Sequence, residues 1–275
     1  MSEYFECPYC RKPVEVEADG SCPNCDNIVP YNAPRIVPLT GTPLGPFAKR
    51  LYVVQFIVIA NAIIYFMMCL TGVHPMRPDT VEMVQWGSNF GPLTVGLGQW
   101  WRLFTCMFLH FGLIHVGLNM WVFWDIGQIT ERIMGNIGFA ILYLVTGLAS
   151  SLTSLAFHPL GVSAGASGAV FGVAGGLMGI IAFRKDVLPY ENQQRLKRSM
   201  VNFVMINVFI GFAVPFINLA AHMGGFVAGF LCGGLMSNKV VTTKIENRNL
   251  RNALMAGVGT VGLGIFGVVV YKMLV

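Results

Sequence analysis

The sequence predicts an all-α polytopic membrane protein with a small cysteine-rich module at its N-terminus. Only 11% of the 275 residues are charged and the mean hydropathy is +0.63, whereas soluble domains carry about 25% charged residues. Seven apolar stretches approach the roughly 20 residues that a helix needs to cross a bilayer. These stretches are residues 51–72, 113–130, 136–157, 167–183, 200–217, 219–237 and 253–274.

The basic residues sort by membrane side, which explains the net charge of +5 without a nucleic-acid partner. If the N-terminus is cytoplasmic, all of the 18 Lys and Arg residues except Arg77, Arg102 and Lys272 lie inside. Such an excess of inner basic residues sets the orientation of membrane proteins. We therefore expect a multi-pass protein of the plasma membrane with a cytoplasmic N-terminus.

Residues 1–30 carry two C-x-x-C pairs and read as a zinc-ribbon-like module. The four cysteines are Cys7, Cys10, Cys22 and Cys25. Four thiolates at this spacing can surround one tetrahedral Zn²⁺ ion, with iron as the alternative ion. So small a module has almost no core and needs the metal to fold. A redox pair or disulfides are the competing interpretations, and a cytoplasmic location disfavours disulfides.

Composition divides the rest of the chain. Residues 31–48 are rich in proline and glycine and predict a linker. Residues 49–237 hold six of the spans, residues 238–252 form a basic cytoplasmic linker, and residues 253–275 form a seventh span. The outer stretch 73–112 between the first two spans is too apolar for a free loop, so we expect it to lie in the membrane interface.

Four polar residues fall at similar depth in the outer part of the predicted membrane, near the starts of different spans. They are His115 and Asn119 on span two, Ser167 on span four and His222 on span six. Polar groups there are costly and are candidates for function. A Ser–His pair can perform acyl transfer, because the histidine takes the hydroxyl proton during attack on a carbonyl. The outer half offers no carboxylate, so the sequence predicts a dyad rather than a triad.

Small-residue stripes predict that spans four and six pack closely. They are Gly168, Gly172 and Gly176 on span four and Gly225, Gly229 and Gly233 on span six. Such stripes allow the backbones of two helices to approach. This packing would bring His222 to Ser167. The backbone N–H of Ser167 and the side chains of His115 and Asn119 are candidate donors to an oxyanion.

These motifs resemble those of the rhomboid intramembrane serine proteases over about residues 50–237. The shared stretches are GASG (165–168), AHMGGFVAG (221–229), HFGLIHVGLN (110–119), ERIMG (131–135) and the pair Trp101-Arg102. The resemblance implies a six-helix rhomboid core with a seventh transmembrane helix after it. It makes Ser167 the nucleophile and His222 the general base, with His115 and Asn119 in the oxyanion hole.

The resemblance also implies supporting roles around the site. His110 and the Trp101-Arg102 pair would hold the outer loop in its membrane-dipping shape, and Phe171 would support the catalytic histidine. Close helix contacts would be made by Gly165, Gly168, Gly225 and Gly229.

The sequence therefore predicts a serine endopeptidase that cuts single-span membrane proteins in or near their transmembrane segment and needs no cofactor for catalysis. An inactive relative is one rival, but such relatives lack the serine or the histidine. A transporter with His222 as proton relay is another, but the inner halves of spans four and six offer no coupling groups. For the zinc module we favour binding of a cytoplasmic protein over docking of a substrate tail or sensing of metal.

Overall fold

The computed structural model describes residues 4–10, 13–15, 19–30, 35–36, 51–183, 190–213, 217–237 and 248–275. The predicted linker 31–48 therefore lies outside the described residues except at 35–36. Of the predicted linker 238–252, only residues 248–252 are described, and they are already helical.

The N-terminal module contains a three-stranded antiparallel sheet in the order β2-β1-β3. The strands are β1 (Tyr4–Glu6), β2 (Pro13–Glu15) and β3 (Arg35–Ile36). Strands β1 and β2 pair across the first cysteine pair, and an isolated bridge joins Ser21 to Ile28 across the second. The chain thus reverses direction at each cysteine pair. Because β3 falls within the predicted linker, the sheet extends past residue 30.

The rest of the described chain is helical. The long helices are α1 (Tyr52–Leu70), α5 (Leu113–Met134), α6 (Asn136–Phe157), α7 (Ser167–Phe183), α8 (Tyr190–Ala213), α9 (Leu219–Ser237) and α10 (Arg248–Leu274). Between α1 and α5 lie the short helices α2 (Thr80–Trp86), α3 (Gly91–Thr94) and α4 (Arg102–Thr105) and a 3₁₀ turn (Cys106–Phe108). We call this part, residues 71–112, the α1–α5 connection. A long helix falls on each of the seven predicted spans, and α10 begins five residues earlier than predicted.

Within the described residues, four helices are long and apolar enough to cross a membrane, namely α1, α6, α9 and α10. The segment Arg102–Phe108 together with α5 forms a fifth candidate, bent by 91°. Helix α7 is apolar but has only 17 residues. It contacts α5, α6, α8 and α9 and is buried along most of its length.

The contact between α7 and α9 is made by backbone atoms. A Cβ added to Gly225, Gly229 or Gly233 would clash with the carbonyl group of Gly168, Gly172 or Gly176, respectively. In return, Gly175 and Gly179 of α7 lie against the carbonyl groups of Phe226 and Phe230. On the α6 side, a Cβ on Gly168 or Gly172 would clash with the side chain of Ser150 or Thr146. The absence of side chains on these glycines therefore sets how closely the three helices approach.

Near the C-terminal end of α5, Glu131 caps the start of α1. Its carboxylate accepts hydrogen bonds from the backbone N–H groups of Val53 and Val54, both 2.9 Å long. The first residues of a helix have no acceptor within the helix, and Leu51 before α1 provides no side-chain cap. Glu131 is fully buried, so these bonds satisfy a carboxylate that would otherwise be costly to bury.

Helix α10 packs against α6 and reaches the α1–α5 connection. Val270 is fully buried in a cluster with Val95 and Leu155, and the ring of Tyr271 lies 6.3 Å from that of Trp100. The seventh helix therefore covers part of the connection.

We predict that Gly229→Ala destabilises the protein. Overpacking of this kind costs about 1–3 kcal/mol, which lowers the Tm of a chain of this size by about 2–10 °C. Gly262→Ala is the matched control, because a Cβ there meets nothing within 4 Å. Thermal unfolding in detergent measures both variants, and equal Tm values for the two would contradict the role of Gly229.

Candidate active site

The structure brings Ser167 and His222 together. Ser167 is the first residue of α7 and His222 the fourth of α9. The distance between Ser167 Oγ and His222 Nε2 is 2.9 Å, a hydrogen bond. His222 Nδ1 is buried and has no hydrogen-bond partner among the described residues. Within that part of the chain the arrangement is a pair and not a triad.

An aromatic ring stacks on the face of the His222 imidazole. Phe171 lies one turn after Ser167, and its ring stacks on that of His222 with the centroids 4.3 Å apart and the planes at 10°. Phe203 of α8 also contacts Phe171, with the ring centroids 4.9 Å apart. The sequence analysis did not identify Phe203, because no motif indicates where α8 packs.

His115 and Asn119 lie on one face of α5, as their spacing predicts. Asn119 donates a hydrogen bond from Nδ2 to the carbonyl of His115, 2.8 Å long. His115 Nδ1 accepts a bond from the N–H of Phe111, 3.2 Å long. A neutral imidazole with an accepting Nδ1 carries its proton on Nε2. A Cβ built on Gly165 would lie 3.2 Å from that nitrogen and 3.6 Å from Ser167 Oγ, so His115 presents a donor on the side of Ser167.

Gly165 occupies the turn before α7 rather than a helix contact, which differs from the role expected for it. Its φ is +134°, a conformation that side chains disfavour. Its N–H donates to the carbonyl of Cys106, 2.9 Å away. A Cβ added there would lie 2.9 Å from His115 Cε1 and 3.6 Å from Ser167 Oγ. The missing side chain leaves room between the histidine and the serine.

The segment that leads into Ser167 is fastened to the α1–α5 connection. Ser163 and Asn89 exchange two backbone hydrogen bonds of 2.9 Å. The N–H of Ala166 donates to Nε2 of His110, 3.3 Å away, and His110 is fully buried. His110 therefore acts on the residue before Ser167.

Arg102 holds the connection itself in shape. Its guanidinium donates to the carbonyls of Val84 and Ser88 and to Gln99, with distances of 2.7 to 3.0 Å. The guanidinium also lies 4.6 Å from the ring centroid of Trp101. These bonds join Arg102 to Val84, Ser88 and Gln99, which are three different positions along the α1–α5 connection.

The four cysteines of the N-terminal module form a second candidate site. Their sulfur atoms all lie within 4.8 Å of one another, and Cys7–Cys25 and Cys10–Cys22 are 3.6 and 3.8 Å apart. Thiolates around a tetrahedral ion at 2.3 Å are separated by about 3.8 Å. Hydrogen bonds from Asn27 lower the pKa of the Cys25 thiol to about 6, which favours the thiolate that binds metal. Burial raises the pKa of the Cys22 thiol to about 11, so the low pKa of Cys25 is not shared by the whole cluster. These residues can hold a metal ion.

The bundle consists of apolar helices, and a serine on one helix is hydrogen-bonded to a histidine on another. These features define a class of helical membrane protein with a potential nucleophile. Comparison with known proteins identifies which family within this class. The family profile described as Rhomboid domain matches residues 97–239. The chain belongs to the rhomboid family, and it is an integral membrane protein.

Several relatives are similar to this chain. The rhomboid protease GluP of Bacillus subtilis (strain 168) is 34% identical over 159 residues, which cover 58% of this chain and 30% of GluP. RHOMBOID-like protein 1 of Arabidopsis thaliana is 33% identical over 58% of this chain and 40% of its own length. The putative rhomboid protease YdcA of Bacillus subtilis (strain 168) is 31% identical over 66% of this chain and 90% of its own length. The match to the first two thus spans less than half of each.

We predict that Gly165→Ala reduces the reactivity of Ser167. A residue forced into a disfavoured backbone region costs about 1–3 kcal/mol, and a shift of the His115 ring adds to this. We expect the rate of labelling by a serine-directed fluorophosphonate to fall about tenfold or more. Gly161→Ala is the control, because its Cβ would lie at an ordinary 3.4 Å from the nearest atom. Equal labelling of the two variants would argue against this role.

Proposed function

We propose that this protein is an intramembrane serine endopeptidase. It hydrolyses a peptide bond in or near the transmembrane segment of single-span membrane proteins. The observation that carries the proposal is the 2.9 Å hydrogen bond between Ser167 Oγ and His222 Nε2, within a family whose relatives include named proteases.

In the proposed mechanism, His222 accepts the hydroxyl proton as Ser167 attacks the substrate carbonyl. The tetrahedral intermediate then collapses as His222 donates that proton to the leaving amine, and a water molecule hydrolyses the acyl-enzyme by the reverse proton path. Stacking on Phe171 orients the imidazole, which is the task that a carboxylate performs in a triad. The pair supplies both nucleophile and base, so catalysis needs no cofactor.

The oxyanion of that intermediate needs donors close to Ser167. The backbone N–H of Ser167, at the start of α7, has no acceptor within the helix, and the helix N-terminus favours negative charge. His115 offers Nε2–H from the side of Gly165. Asn119 uses one of its two side-chain N–H groups on the carbonyl of His115, which leaves the other for the oxyanion. We assign these three donors to the oxyanion hole.

The substrate and its membrane follow from the family resemblance and the charge pattern. A single-span protein would enter laterally between α5 and α8 in the plasma membrane, with the N-terminus of the protease in the cytoplasm. Its helix must unwind near the cleaved bond, because helical carbonyls are already hydrogen-bonded.

The core is residues 49–237, with α10 as the added seventh helix. The N-terminal module binds a cytoplasmic protein.

We predict that Ser167→Ala and His222→Ala each abolish cleavage. Removal of a nucleophile or its base costs at least about 10³-fold in kcat. Mass spectrometry of a purified transmembrane substrate incubated with each variant measures the product. Ser163→Ala is the control, because the bonds that the structure assigns to Ser163 are made by its backbone. Cleavage by purified Ser167→Ala would refute the proposal, and a wild type that is neither cleaving nor labelled would favour the inactive relative.

We propose that the module binds one structural Zn²⁺ ion through Cys7, Cys10, Cys22 and Cys25. Elemental analysis of the purified chain is expected to find one zinc per chain, and a chelator is expected to render the module sensitive to protease, because the metal supplies most of its folding energy. Cys22→Ser should lower the zinc content, whereas Cys232→Ser, far from the cluster in sequence, should not. An iron absorption band, or zinc content unchanged in Cys22→Ser, would contradict this assignment.

A further inference from the structure

Asn218 stands immediately before α9, and it is bonded both to its own helix and to a neighbouring one. Its Oδ1 accepts a hydrogen bond from the N–H of Ala221, 3.0 Å long. Ala221 is the third residue of α9, so this bond is a helix N-cap. Its Nδ2 donates to Oγ of Ser154 on α6, 2.7 Å away. One side chain therefore caps α9 and ties it to α6.

The same residue is one helical turn from His222. The N–H of His222 donates to the carbonyl of Asn218, 3.2 Å long, which is the first bond of the regular helical ladder. His222 thus lies in the first turn of α9, the part of a helix that frays when it is not capped. Any movement of Asn218 is passed directly to the backbone of His222.

Ser154 is a firm anchor for this bridge. It is only 1% exposed and lies in the last turn of α6, where its carbonyl accepts a hydrogen bond from the N–H of His158. The neighbouring Thr153 packs against Gly224 of α9, so the contact of α6 with α9 continues for a further turn. The glycine contact with α7 limits how close α9 comes, while the Asn218–Ser154 bond adds a directional constraint on its first turn.

We infer that Asn218, through its bond to Ser154, is a positioning residue that keeps His222 at hydrogen-bond distance from Ser167. This inference rests on the proposed function for its consequence in catalysis. The bond of 2.9 Å between Ser167 and His222 becomes too long for proton transfer after a shift of less than about 1 Å. The bridge therefore affects the chemical step and leaves substrate binding unchanged.

Two variants separate the bridge from the cap. Asn218→Ser keeps an N-cap oxygen but is too short to reach α6, and Ser154→Ala removes the acceptor while the cap stays intact. We expect each to lower kcat about five- to tenfold, as the loss of one hydrogen bond implies, with KM within about twofold of the wild type. The double variant should be no slower than the worse single variant, because both changes break the same bond.

Asp79→Ala is the matched control. It removes the N-cap of α2 in the α1–α5 connection, where the Asp79 carboxylate accepts from the N–H of Val81. We expect its kcat to stay close to that of the wild type. Steady-state cleavage gives kcat and KM, and Tm values show that each variant is folded.

The result that overturns the inference is a kcat for Asn218→Ser and Ser154→Ala equal to that of the control, or additive losses in the double variant. Labelling of Ser167 by a fluorophosphonate is measured on the same proteins. If the wild type cleaves no substrate, the proposed function fails, but the labelling rates still report how His222 activates Ser167. A five- to tenfold slower labelling of both single variants supports the inference in that case too, and unchanged labelling overturns it.

Discussion

The approach of α7 to α9 is the contact on which the rest of the structure depends. Three glycines of α9 lie against three backbone carbonyls of α7, where no side chain fits. Without a hydrophobic force between helices in lipid, close backbone packing of this kind is a main source of association. Because Ser167 begins α7 and His222 lies in the first turn of α9, this contact also sets the separation of the two reacting groups.

Several buried polar side chains of the bundle are hydrogen-bonded to backbone atoms outside their own helix. Glu131 caps α1, Arg102 holds the carbonyls of the α1–α5 connection, and His110 accepts from the N–H of Ala166. A polar side chain in an apolar surrounding is stable only when it is hydrogen-bonded. Each of these residues therefore fixes one piece of backbone, and His110 holds the turn that leads into Ser167.

Much of this could be predicted from the sequence, because the signals are local or compositional. The all-helical membrane fold and the rhomboid family are confirmed. Ser167, His222, His115 and Asn119 could be named from their predicted depth and from motifs. Phe203, Asn218 and Ser154 could not, since their contacts join helices that are far apart in the sequence. Gly165 was expected in a helix contact, but its positive φ belongs to a turn that only coordinates reveal.

The sequence by itself determined the long helices of the described residues, the cysteine cluster and the residue types available for catalysis. Apolar length, C-x-x-C spacing and glycine periodicity are properties of a single segment, and they can be read without knowing its neighbours. The tertiary structure alone decided that His222 lies 2.9 Å from Ser167 with a ring stacked against it. That distance depends on many contacts between α6, α7 and α9. A shift of about 1 Å in the position of any of these helices would break the hydrogen bond.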